Sequence, residues 1–86
     1  MRNQVAKQKQ LRHLSTFSFP TIFRGAEVIV TINSNQGSYG VFIDGNYFAQ
    51  VEFESDFNYW FVAEGALNDP DLLKEIGERI EAKLYA

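Results

Sequence analysis

The stretch GVFIDGNYF, residues 40–48, decides how this chain folds. An apolar run, a turn of Asp44, Gly45 and Asn46, and a second apolar run make the pattern of a β-hairpin. It also sets a problem. Phe42 and Phe48 stand where a half-buried hairpin shows polar side chains. Turn length settles which residues share a face, because side chains alternate along a strand. A two-residue Asp44-Gly45 turn groups Val41 and Ile43 with Gln50, Glu52 and Glu54, mixing acids into an apolar set. An odd-length loop sorts them better. Tyr39, Val41, Ile43, Tyr47, Ala49, Val51 and Phe53 then form one face. Gly40, Phe42, Asp44, Phe48, Gln50, Glu52 and Glu54 form the other.

Working outward, AEVIVTI at 26–32 alternates as a strand, with Val28, Val30 and Ile32 on one side and Glu27, Ile29 and Thr31 on the other. NSNQGS at 33–38 and SDFN at 55–58 read as turns, and YWFVAE follows as a strand. FSFPTIF at 17–23 alternates too, but Pro20 confines it to an edge strand or an extended strap. Beyond a loop at 65–68, Asp69 (or Asn68) is a helix N-cap, with Pro70 at the first helical position and Asp71 in the first turn. Leu73, Ile76, Ile80 and Leu84 share one helical face with Leu72 beside them, and Gly77 on the apolar side suits close approach to the sheet. The expected fold is α+β. An antiparallel meander of four strands, five if FSFPTIF joins it, is followed by one C-terminal helix packed on one sheet face. In residue terms, 1–16 form a basic tail and 17–86 a single domain, with strands at about 26–32, 39–43, 47–54 and 59–64 and a helix at about 70–85.

At 86 residues the chain has room for one domain and a small core, which makes self-association a natural source of extra burial. A 45% hydrophobic and 15% aromatic composition belongs to a globular chain and not to a disordered one. The net charge of −3 divides unevenly. Arg2, Lys7, Lys9, Arg12 and Arg24 lie in residues 1–24 with no acid among them. Residues 25–86 hold all eleven acids against Lys74, Arg79 and Lys83, a net of −8. A basic arm on an acidic body is the reading. No secretory h-region interrupts the polar first thirty residues, and no run approaches the roughly 20 apolar residues of a membrane span. A cytoplasmic protein without membrane contact is expected.

The chemistry sought is mostly missing. Without cysteine there is no disulfide, thiol nucleophile or thiolate metal site. His13 is the sole histidine, so neither a His-based triad nor a two-His metal pair can be built. Phosphate-cradling and nucleophile-elbow glycine motifs do not occur. Glu52, Glu54, Asp56 and Glu64 gather at one sheet region, where a solvated edge is a simpler account than an acid–base pair or a hard-cation site. The expectation is a non-enzymatic protein with no cofactor and no metal.

The outer sheet face carries the functional expectation. Ile29, Phe42, Phe48, Trp60 and Val62 are read as one apolar band across it, ringed by acids. Each such side chain contributes about 1.5–3 kcal/mol when fully buried, so the band calls for a cover. The candidates are FSFPTIF folded over it, a second copy of the chain in a homodimer, or a different protein partner. The rival expectation is weak single-stranded nucleic-acid binding by an arm containing Lys7, Lys9 and Arg12 with sheet aromatics as a stacking platform. Glu27, Asp44, Glu52, Glu54 and Glu64 on the same face oppose it by repelling phosphate. A small apolar ligand beneath the sheet is a further option.

Overall fold

The computed structural model describes residues 16–85. Five strands run in chain order: β1 (Thr16–Phe23), β2 (Ala26–Asn35), β3 (Ser38–Ile43), β4 (Asn46–Glu54) and β5 (Tyr59–Gly65), followed by the helix α1 (Pro70–Leu84). The strands form one antiparallel sheet in the order β1-β2-β3-β4-β5, a five-stranded meander. The expected α+β fold is the observed one. The FSFPTIF segment is a true strand, pairing with β2 from Thr16↔Asn33 to Phe23↔Ala26, and does not lie over the outer face. Of the expected basic tail, Thr16 belongs to β1 and residues 1–15 lie outside the described residues.

Three two-residue turns build the first three hairpins. Arg24-Gly25, Gln36-Gly37 and Asp44-Gly45 each place both residues at positive φ, the signature that matches the right-handed twist of flanking strands. The contraction of the second turn to Gln36-Gly37 carries β2 on to Asn35, three residues past the expected Ile32. Asp44 also ties its turn sideways. Its backbone N–H donates to Ile29 O at 2.9 Å, and its Oδ1 accepts from Ile29 N at 2.9 Å.

Two β-bulges then shift the register. In β3–β4, Phe42 pairs with Tyr47 but Val41 pairs with Ala49, so Phe48 is the extra residue. In β4–β5, Val51 pairs with Val62 but Gln50 pairs with Glu64, so Ala63 is the extra residue. A bulged residue changes the alternation of everything beyond it. The bulges are joined at the end of β5. Gly65, at φ 93°, lies so close to β4 that an added Cβ would stand 2.7 Å from Ala49 Cα, and Ala66 N donates to Phe48 O at 2.9 Å.

The helix begins as its sequence dictates. Asp69 Oδ1 accepts from Leu72 N at 3.0 Å, and Pro70 opens the first turn, where an N–H has no intrahelical partner. Leu72, Ile76 and Ile80 form the buried centre of its apolar stripe, flanked by Leu73 and Leu84. They meet Phe19, Phe23, Val30, Ile32, Tyr39, Val41, Ile43, Ala49 and Val51 from the sheet, with Leu67 of the preceding loop. Val30, Ile32, Val41, Val51, Ile76 and Ile80 are fully excluded from solvent.

A line of contacts stitches β1 to the helix. Thr21 Oγ1 donates to Glu75 at 2.7 Å, the Arg79 guanidinium lies 4.6 Å from the Phe19 ring centre, and Lys83 Nζ lies 5.4 Å from that of Phe17. Two strand residues advance about 6.7 Å and four helical residues about 6 Å, so the two periods keep step over three contacts.

Candidate interaction surface

The register fixes which side chains face the helix and which face away. Beside the buried core, the helix side takes Phe48, whose ring meets Phe23 edge-on at 5.6 Å. It also takes Val62 opposite Val51, and Trp60 opposite Phe53. Trp60 packs against Tyr39 at 5.6 Å and Phe53 at 5.3 Å, and its Nε1–H donates to Glu81 Oε2 at 2.8 Å. A Cβ on Gly77 would stand 2.6 Å from that indole nitrogen, so the glycine makes room for the ring.

Three residues of the expected band are therefore corrected. Phe48, Trp60 and Val62 face α1, and only Ile29 and Phe42 remain on the open face. For Phe48 the cause is the position of the parity change. A two-residue turn carries Tyr47 to the open side with Phe42, and the bulge turns Phe48 inward. For Trp60 and Val62 the cause is the loop Ser55–Asn58. Four residues are an even number, so Tyr59 returns opposite Glu54 on the open side and Trp60 points in.

The open face gains what the helix side loses. Phe42 meets Tyr47 at 5.6 Å and 67°, and Tyr59 lies 6.0 Å from Phe61 on the β5 edge. Phe42 and Gln50 lean over Gly40, where an added Cβ would stand 3.4 Å from the Phe42 ring and 2.8 Å from Gln50 Oε1. Gln50 is held there by its Nε2–H to Ser38 Oγ at 2.9 Å. Phe42 is thus half-buried by neighbours on its own face. Ile22 (59% exposed), Ile29 (48%), Tyr47 (49%) and Tyr59 (50%) stay open to solvent. Pro20, Ile22 and Ile29 floor a shallow depression of about 400 Å³ beside Glu27 and Asp44.

Polar pairs share this face with the apolar groups. Ser18 and Thr31 hydroxyls lie 2.8 Å apart, Thr16 Oγ1 donates to Asn33 at 3.1 Å, and Gln50 faces Glu64. Tyr47 OH approaches Glu64 at 3.5 Å, and loss of solvent around the phenol, then the Glu64 charge, raise its pKa above the ordinary 10.0. Glu52 and Glu54 stand opposite Phe61 and Tyr59. The face is aromatic and aliphatic with an acidic surround.

Of the nucleic-acid platform Phe42, Phe48 and Trp60, the structure leaves one ring on the open face. Lys7, Lys9 and Arg12 lie outside the described residues. Among the described residues no three acids or histidines gather in a way that would hold a metal ion, and no helix is long and apolar enough to cross a membrane. Compared with protein-family models, with curated proteins and with solved structures, the chain matches none.

Proposed function

We propose that this is a small protein-interaction domain that acts by binding and not by catalysis, and that its working surface is the open sheet face. One observation carries the reading: α1 covers a single face of the sheet, while Ile22, Ile29, Tyr47 and Tyr59 on the other face remain about half exposed. Phe42 and Phe61 add half-buried rings to that surface. Exposed apolar groups of this extent with a polar surround are the usual marks of an association surface. Glu27, Asp44, Glu52, Glu54 and Glu64 favour a protein occupant, a second copy or another chain, over a polyanion.

Light scattering on the full chain across a concentration series tests the self-association arm. A dimer that Ile29→Asp and Tyr47→Ser dissociate, and that Ser55→Ala leaves intact, supports the reading. A dimer indifferent to both open-face substitutions removes this face as the interface. If the chain is monomeric throughout, the face must instead bind a protein found by crosslinking from position 29, and a captured partner that binds Ile29→Asp equally well ends the proposal.

A further inference from the structure

Opposite the open face, at the end of the molecule where α1 terminates, lies a second feature of different chemistry. Tyr39, Phe53, Trp60, Glu81, Leu84 and Tyr85 wall a cleft of about 570 Å³, a size that suits a small organic ligand. The rings stand at steep angles to one another, Trp60 at 67° to Tyr39 and 57° to Phe53, and all three line the cleft. Tyr39 is buried at its base, and Tyr85 is 81% exposed at its mouth. Burial, then the neighbouring Tyr85, raise the Tyr39 phenol above 10.0, which keeps its hydroxyl neutral at ordinary pH.

Among the described residues lining the cleft, Glu81 is the one charged group. Glu81 brings a carboxylate to the wall and fixes the indole through the 2.8 Å bond from Trp60 Nε1. The last turn of α1 adds the negative end of its dipole. Arg79 and Lys83 lie on the other flank of the helix, over Phe19 and Phe17, and among the described residues no lysine or arginine lines the cleft. Convergent aromatic faces attract weakly hydrated cations, above all methylated ammonium groups. One carboxylate among rings is a poor match for a hard metal ion, which takes six or more oxygen ligands.

We propose that this cleft binds a methylated ammonium group, with Trp60, Phe53 and Tyr85 supplying π-faces and Glu81 the countercharge. The site is separate from the open sheet face and independent of what occupies that face.

Trp60 is the only tryptophan, so its fluorescence reports the site directly. The full chain is titrated with tetramethylammonium and with choline, and tert-butanol serves as the neutral counterpart of similar shape. A saturable change with both cations and none with tert-butanol is expected. Tyr85→Ala and Phe53→Ala should each weaken binding about fivefold or more, the scale of one exposed cation–π contact to two. Glu81→Gln keeps an acceptor for the indole N–H and removes the charge, and should also weaken binding several-fold. Far-ultraviolet circular dichroism checks each variant's fold, and Tyr85→Ala alters an exposed side chain and serves where Phe53→Ala does not fold. Phosphatidylcholine vesicles form a further arm: tighter binding than free choline assigns the group to a lipid headgroup, and weaker binding assigns it to a free solute. No saturable response to either cation, an equal response to tert-butanol, or full affinity in Tyr85→Ala and Glu81→Gln would overturn the proposal.

Discussion

The two faces of this sheet are built from similar residues and end in opposite conditions. On the helix side Val30, Ile32, Val41, Val51, Ile76 and Ile80 are sealed from water, and even the large rings of Phe48 and Trp60 find packing partners. On the open side Ile22, Ile29, Tyr47 and Tyr59 stay about half wet. Hydrophobicity alone does not allot a residue to one or the other. Position relative to two bulges and three tight turns does, since each extra residue reverses the alternation that follows.

The sharpest way to press that contrast is to truncate one isoleucine on each side. Ile76→Ala removes a fully buried side chain and should lower unfolding free energy by about 3–4 kcal/mol, whereas Ile29→Ala should change it by about 0.5 kcal/mol or less. Urea denaturation measures both. Comparable losses would mean that the open face is covered in solution.

Next in size is the effect at Gly77, which lets helix and indole come close. Ala is usually favoured over Gly inside a helix by about 1 kcal/mol. At Gly77 the added methyl falls on the Trp60 indole, so Gly77→Ala should instead destabilise by about 1–2 kcal/mol and alter the near-ultraviolet signal of Trp60. A stabilised Gly77→Ala would show that the indole yields easily and that its place beside Glu81 is loosely held.

Smallest is the difference between the faces in alkali. Tyr39 on the helix side has its pKa raised, chiefly by burial. The folded form therefore holds its proton longer than the unfolded chain does. The stabilisation is fully present below pH 10.0, the ordinary phenol value, and is lost as pH rises through the higher folded value. Tyr39→Phe should flatten the fall in melting temperature above pH 10, and Tyr47→Phe on the open side should flatten it less. An equal response would mean that solvent reaches both hydroxyls alike.

Much of this arrangement is legible in the sequence, and the exceptions have definite causes. The alternation of AEVIVTI, the Asp69-Pro70 start and the Leu72-Ile76-Ile80 spacing each specify an element and its buried side by local rules. The hairpin at 40–48 is subtler. An odd loop and an even turn followed by a bulge both reverse parity once, so both place Tyr39, Val41, Ile43, Ala49, Val51 and Phe53 on one face. They differ only in Tyr47 and Phe48, the two residues between the candidate positions of the reversal. The exchange of Tyr59 and Phe61 for Trp60 and Val62 had a readable signal, since the loop Ser55–Asn58 has an even length. What no local pattern contains is the partner of each ring. Trp60 is fixed by Glu81, 21 residues away, and Phe48 on β4 by Phe23 on β1.

The edge strand β1 has a consequence for how copies of this chain can meet. Both backbone polar groups of Ile29 point toward Asp44 on the β3 side, so Pro20, paired opposite Ile29, directs its own backbone outward. The proline thus leaves the β1–β2 ladder intact and places a missing donor in the middle of the free edge. At the other margin, the Ala63 bulge interrupts β5. Both interruptions disfavour the addition of a sixth strand from another copy. That favours stacking of surfaces in any association, and a pair stacked by the same face closes on itself and stops growing.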